Sequence, residues 1–280
     1  MVANMVSQSD ANLALSPIFR QVPIENRHYN AFNEKRKEYL SKNKTDCKKK
    51  RKAVIDNLIK LHLESEELSE EDAVEEIVNF IMAGYETVAM STTWALFLIG
   101  LHPDVQKKIH EELDKVFGED IDRDATEDDL NQLNYLNCVL MESSRIYPTI
   151  PMFGRQALED TVICGHTVPK GASCFVMTYF LHRDENVFPD PETFDPDRFS
   201  PENSTKIPES AFALFSAGPR NCIGQRYAWI ELKELLSSIL RNFTVESLDS
   251  RDKILPIMTV DLAPSTDIRI RIRQRKSSKS

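Results

Sequence analysis

Apolar positions along this chain fall into two textures. Through residues 31–62, and again from Ser69 to Tyr147, they recur at helical spacing. From 151 to 182 they form short runs cut by Pro151, Gly154, Gly165, Pro169 and Gly171, the pattern of strands and turns. The first helical stretch is broken by a basic run from Lys42 to Lys52, read as a solvated linker. Contact with an acidic partner or lipid headgroups is the alternative for that run. Ser69 and Asp72 have the spacing of a capping box, and Glu70 and Glu71 favour a helix start. That helix is expected to reach about Leu101. From Ile77 to Leu101 the only charge is Glu86, so length alone makes this a membrane-span candidate. Asn79, Thr87, Ser91, Thr92 and Thr93, with the weak helix former Gly84, argue instead for a long helix inside a large domain. Pro103 opens the next helix and Gly118 closes it. Thr126 with Asp129 marks a further start, and a helix from Leu133 to Tyr147 stops at Pro148. Residues 183–210 are rich in Asp, Pro and Phe and read as an ordered meander. Gln225 to Leu236 is an amphipathic helix. Near the end, Ile268, Ile270 and Ile272 alternate with Arg269, Arg271 and Arg273, a strand with one buried face. The arginine row is expected to guard an exposed sheet edge, with contact to an electron donor as the alternative.

Composition narrows the class. At 280 residues the chain makes one large domain or two small ones, and 41% apolar with 28% charged residues fits a globular protein. A net charge of −9 speaks against nucleic acid as a main partner. The five cysteines (47, 138, 164, 174, 222) are odd in number and form no C-x-x-C pair, so neither a disulfide framework nor a zinc site is indicated, and a reducing compartment is expected. Cys164 and His166 flank a turn, with no second pair nearby to complete a metal site. Residues 1–30 show no charged segment followed by an apolar run, so no signal peptide or anchor is read there.

The chemistry concentrates around Cys222. Phe215-Ser216-Ala217-Gly218-Pro219-Arg220-Asn221-Cys222-Ile223-Gly224 places two of the chain's 8 glycines around one thiol. Glycine permits close approach and unusual backbone angles, and Pro219 fixes φ. The loop leads into a helix, whose N-terminal N–H groups and dipole favour an anionic sulfur. A single thiolate in a rigid loop suits an axial ligand to haem iron. Two further segments matter. In Ala83-Gly84-Tyr85-Glu86-Thr87, small residues let a flat group approach a helix, and a carboxylate beside a hydroxyl can relay protons; close helix packing is the plainer alternative. In Glu142-Ser143-Ser144-Arg145, acid and base share one helix face among apolar neighbours, which predicts a partly buried ion pair.

The spacing F-x-x-G-x-R-x-C-x-G resembles the haem-ligand loop of the cytochrome P-450 family. Ala83–Thr87 resembles that family's central oxygen-activation helix, although Val88 stands where Thr or Ser is usual. The resemblance implies a fold that is mainly α with small β-sheets. It implies haem b held non-covalently with the Cys222 thiolate as axial ligand, because Ala83 has no carboxylate to form the covalent link of some members. Phe215, Gly218, Gly224 and Gly84 would then contact the cofactor, Arg220 and Arg155 would pair with its propionates, and Glu86 and Thr87 would serve oxygen activation. Glu142 and Arg145 would be joined by Arg198 of Pro196-Asp197-Arg198-Phe199 as structural support behind the loop. The implied activity is monooxygenation of an apolar substrate with O2, with electrons from NADPH through NADPH–cytochrome P-450 reductase and cytochrome b5 as a second donor. Asn221 to Arg226 is most similar to eukaryotic microsomal members related to the fatty-acid hydroxylases, which implies the cytosolic face of the endoplasmic reticulum membrane.

Residues 69–280 are expected to form the C-terminal haem-binding portion of one such domain, and 1–68 remnant helices with the basic linker. Family members carry a longer N-terminal part, and no W-x-x-x-R segment precedes Ser69. The chain is therefore expected to be a fragment that is poorly soluble and binds haem weakly alone. Two other classes compete: a haem-binding protein without catalysis, and a single-pass membrane interaction protein built on Ile77–Leu101. The Glu86–Thr87 pair favours the enzyme over the first, and the Cys222 loop disfavours the second.

Overall fold

A computed structural model describes residues 11–15, 24–41, 53–65, 67–118, 120 and 123–275. The basic run from Lys42 to Lys52 lies outside these described residues. The helices are α1 (Ile24–Ser41), α2 (Val54–Lys60), α3 (Glu70–Leu101), α4 (Pro103–Phe117), α5 (Glu127–Gln132), α6 (Asn134–Ile146), α7 (Thr178–Leu181), α8 (Pro201–Ser204) and α9 (Gln225–Asn242). The strands are β1 (Ala11–Leu15), β2 (Phe153–Gln156), β3 (Thr161–Ile163), β4 (His166–Val168), β5 (Ser173–Val176), β6 (Phe243–Ser247), β7 (Pro256–Met258), β8 (Leu262–Pro264) and β9 (Ile268–Gln274). The chain divides into two compact units, a smaller one of residues 18–86 and a larger one that runs from Thr87, inside α3, and also takes in β1. The sequence reading puts the division ahead of this helix, at residue 69.

The smaller unit holds α1, α2, a π-helical turn at Leu61–Ser65 and the first half of α3. Its core is Phe32, Leu58, Ile59, Ala73 and Val74. Ser69 caps α3 as its sequence predicts: its hydroxyl accepts from Asp72 N–H at 3.0 Å, and its own N–H donates to the Asp72 carboxylate at 3.1 Å. Arg36 reaches from α1 to Glu70 at 2.6 Å.

The larger unit is built on the second half of α3. Trp94, Ala95, Phe97, Leu98 and Ile99 are fully buried there. Trp94 stacks on Tyr147 with ring centroids 3.9 Å apart and donates its indole N–H to Leu262 O at 2.8 Å. At Gly100 a Cβ would meet Ser247 Oγ at 2.5 Å and Ser247 N at 2.7 Å, so glycine lets α3 lie directly on β6. Val105, Ile109, Leu113 and Phe117 form the buried stripe of α4, which ends at Gly118 with φ +62°. Thr126 and Asp129 cap α5 reciprocally, and the Arg123 fork on Asp129 holds that carboxyl below the usual aspartate range. Residues 151–182 fold as two antiparallel pairs, β2 with β5 and β3 with β4, and then turn into α7, which the strand-and-turn reading does not contain.

One alternative falls and one expectation needs correction. Among the described residues no helix is long and apolar enough to cross a membrane, so the membrane-span alternative for Ile77–Leu101 falls, and the stretch lies in the single long helix that the sequence favours. The polar positions of α3 break the apolar run. Strand β9 is not the expected edge. It lies between β1 and β6 in the order β1-β9-β6, antiparallel to both. Periodicity predicted its buried face, with Ile268 and Ile270 nearly inaccessible. It could not predict β1, which pairs from a segment with no pattern of its own. The arginines instead meet acids: Arg269 on Asp249, and Arg271 and Arg273 on Glu246.

Candidate functional site

The Cys222 loop is held by its own backbone. Ser216 N–H donates to Ala213 O at 3.1 Å, Cys222 N–H to Phe215 O at 2.9 Å and Asn221 N–H to Gly218 O at 3.1 Å. Gly218 sits at φ +78°, where glycine is the natural choice, and Ser216 tolerates φ +62°. Gly224 differs: its φ is −88°, and a Cβ there would lie 3.8 Å from Cys222 Sγ, an ordinary contact. The backbone therefore demands glycine at 218 and not at 224. Gly224 O accepts from Ala228 N–H at 2.8 Å and so begins α9.

Cys222 lines a cavity of about 240 Å³, together with Phe153, Phe215, Leu232, Thr87 and Arg220. Ser91 and Thr149 also line it, with hydroxyls 2.6 Å apart. Phe215 meets Trp229 of α9 edge-on at 5.6 Å. Among the described residues the Arg220 guanidinium has no ion-pair or hydrogen-bond partner. Arg155, exposed on β2, has several: it donates to Ser216 Oγ at 2.6 Å and to the carbonyls of Arg220 and Ala217 at 3.3 and 3.4 Å. It braces the loop from the strand side. The other two predicted site residues of the α3 motif, Gly84 and Glu86, belong to the smaller unit. A Cβ at Gly84 would meet nothing within 4 Å.

An iron porphyrin asks for an axial ligand, which a thiolate can supply, apolar walls for a flat ring, and cations for its carboxylates. Cys222, the Phe153–Phe215–Leu232 lining and the unpartnered Arg220 supply that donor set, so the residues present fit the group. Elsewhere, no cluster of three or more His, Cys, Asp and Glu among the described residues could hold a metal ion. Cys164 is an exposed turn residue at φ +51°.

Behind the loop lies a buried charge network. Glu142 and Arg145 on α6 are wholly inaccessible, and Arg145 donates to both Glu142 oxygens, at 2.7 and 2.9 Å. Its other N–H groups reach the carbonyls of His182 at 2.9 Å, Pro191 at 2.7 Å and Thr193 at 3.3 Å. Asp195 N–H donates to Glu142 Oε1 at 2.9 Å. Arg198 comes within 3.5 Å of the same oxygen, but its best hydrogen bond goes to Asp190 O at 3.0 Å. Burial pushes the Glu142 carboxyl up, against the pull of Arg145, the Asp195 N–H and Arg198. Sequence reasoning brought Glu142, Arg145 and Arg198 together but missed His182, a lone histidine beside charged neighbours that carries no motif.

A family model described as cytochrome P450 matches residues 11–267. The chain belongs to the cytochrome P450 family. It is 42% identical over 228 residues to cytochrome P450 4c3 of Drosophila melanogaster, covering 81% of this chain and 43% of that protein. Cytochrome P450 4V2 of Homo sapiens is 44% identical over 231 residues, covering 82% of this chain and 44% of its own. Cytochrome P450 4c21 of Blattella germanica is 34% identical over 271 residues, covering 90% and 54%. The chain thus spans about half the length of these curated relatives.

Proposed function

We propose that this chain is the haem-thiolate portion of a monooxygenase that hydroxylates an apolar substrate of the fatty-acid, steroid or xenobiotic kind. The observation carrying the reading is Cys222, set by the Phe215 carbonyl at 2.9 Å in a cavity that also holds Arg220 and Thr87. Bound haem supplies the oxygen chemistry. Cys222 holds the group through its sulfur. Arg220 and Arg155 would pair with carboxylates of the group, and Arg155 also keeps the loop shaped by bracing Ser216. Thr87 presents a hydroxyl to the cavity that can hold a proton donor near the reacting atoms, with Glu86 next in sequence as its supply. Glu142, Arg145 and Arg198 are structural. NADPH–cytochrome P-450 reductase and cytochrome b5 are the proposed electron donors, and the cytosolic face of the endoplasmic reticulum membrane the proposed location.

Spectroscopy of the haem-loaded protein tests this. The reduced carbon monoxide complex should show the red-shifted Soret band of thiolate ligation, lost in Cys222→Ser and kept in Cys164→Ser. A band that survives Cys222→Ser overturns the assignment. Thr87→Val should keep the band and divert NADPH oxidation towards peroxide, and unchanged coupling of NADPH use to product would remove Thr87 from the mechanism.

A further inference from the structure

His182 connects the buried charge pair to the Cys222 loop, and no motif assigns it a role. It follows α7 and is completely inaccessible. Its carbonyl accepts from Arg145 at 2.9 Å, while its ring Nε2 accepts from the backbone N–H of Ala213 at 3.1 Å. Ala213 is where the loop begins: its carbonyl takes Ser216 N–H at 3.1 Å, and Phe215 O takes Cys222 N–H at 2.9 Å. A hydrogen-bonded path thus runs from Arg145 through both ends of His182 into the turn carrying the thiol. The ring lies against Phe212, centroids 4.9 Å apart, which fixes its plane.

The ring's other nitrogen sharpens the reading. With Nε2 accepting, the ring proton sits on Nδ1, and Nδ1 has no hydrogen-bond partner among the described residues. A buried unpaired donor is costly, so an apolar side chain here would relieve that cost unless the Nε2 bond were needed. Burial and the neighbouring cations Arg145 and Arg183 push the His182 pKa down to about 3, which keeps the ring neutral and Nε2 an acceptor.

We propose that His182 is a positioning residue for the Cys222 loop: through the Ala213 N–H it transmits the placement of the Glu142–Arg145 pair to the thiol. The proposal rests on Cys222 being the haem ligand. It differs from general core packing because it depends on one acceptor atom at one reach.

Three variants of the haem-loaded protein test it. His182→Phe keeps a ring against Phe212 and removes the acceptor. His182→Gln places an amide oxygen at about the reach of Nε2, and His182→Asn places one too short. The readouts are the ratio of unshifted to red-shifted Soret band in the reduced carbon monoxide complex, and amide hydrogen exchange at Ala213 and Cys222. The Phe and Asn variants should raise the unshifted fraction and speed Ala213 exchange by about tenfold, the effect of leaving one buried N–H unpaired. The Gln variant should restore both. If the Phe variant loses haem outright, the Gln–Asn difference still decides. Equal behaviour of Gln and Asn, or wild-type ratios in Phe, overturns the role of His182. A red-shifted band that persists in Cys222→Ser would instead remove the ligand assignment beneath it.

Discussion

The same chemistry, guanidinium on carboxylate, appears in two regions of the larger unit with opposite consequences. At Glu142–Arg145 both side chains are 0% exposed, and burial drives the carboxyl pKa up. Along β9, Arg273 and Glu246 are 48% and 44% exposed, and Arg273 and Arg271 hold the Glu246 carboxyl down. Water makes the difference. A buried pair must recover two desolvation penalties, which is why Arg145 also needs the carbonyls of His182, Pro191 and Thr193. An exposed pair loses little on forming and contributes little. Ion pairing is thus a device for placing groups in one region and for matching neighbouring strands in the other.

The contrast is broken most severely at its buried end. Glu142→Ala strands Arg145 without its counter-charge, and destabilisation of about 3–5 kcal/mol with failure to retain haem is expected. Denaturant unfolding and haem stoichiometry check it, and a stable, fully loaded variant would show that the network is dispensable.

Acid provides the intermediate test. His182 has a folded pKa of about 3 against an ordinary 6.5, so between these values the unfolded chain binds the extra proton. Its contribution should therefore fall as pH drops from about 6.5 towards 3. Unfolding free energies over this range should lose part of their pH slope in His182→Gln, and an unaltered slope would remove His182 from the balance. Glu246 acts elsewhere: its lowered pKa confers stability present above the ordinary glutamate range and lost only below it.

The smallest effect belongs to Glu246→Gln. Haem loading should be unchanged, and the Tm change should be several-fold smaller than for Glu142→Ala and shrink further in high salt. A loss comparable to that of Glu142→Ala would erase the distinction between the two regions.

Much of the smaller-scale organisation was legible in the residues. The cap at Ser69–Asp72, the start at Pro103, the stop at Gly118 and the cap at Thr126–Asp129 are local signals, and each element begins or ends there. The Glu142–Arg145 contact was equally legible, because residues three apart share a helix face. The central place of β9 was not, since alternation reports which face is buried and not how many neighbours a strand has.

By itself, then, the sequence determined what local geometry and side-chain chemistry control: helix limits, reciprocal caps, and a thiol among residues suited to haem. Tertiary structure alone decided three things: that Arg155 braces the Cys222 loop, that Gly100 admits Ser247, and that His182 joins the buried pair to Ala213. Each is a contact between residues tens of positions apart. Such contacts arise when packing and desolvation bring distant groups together, and neither leaves a periodic mark along the chain.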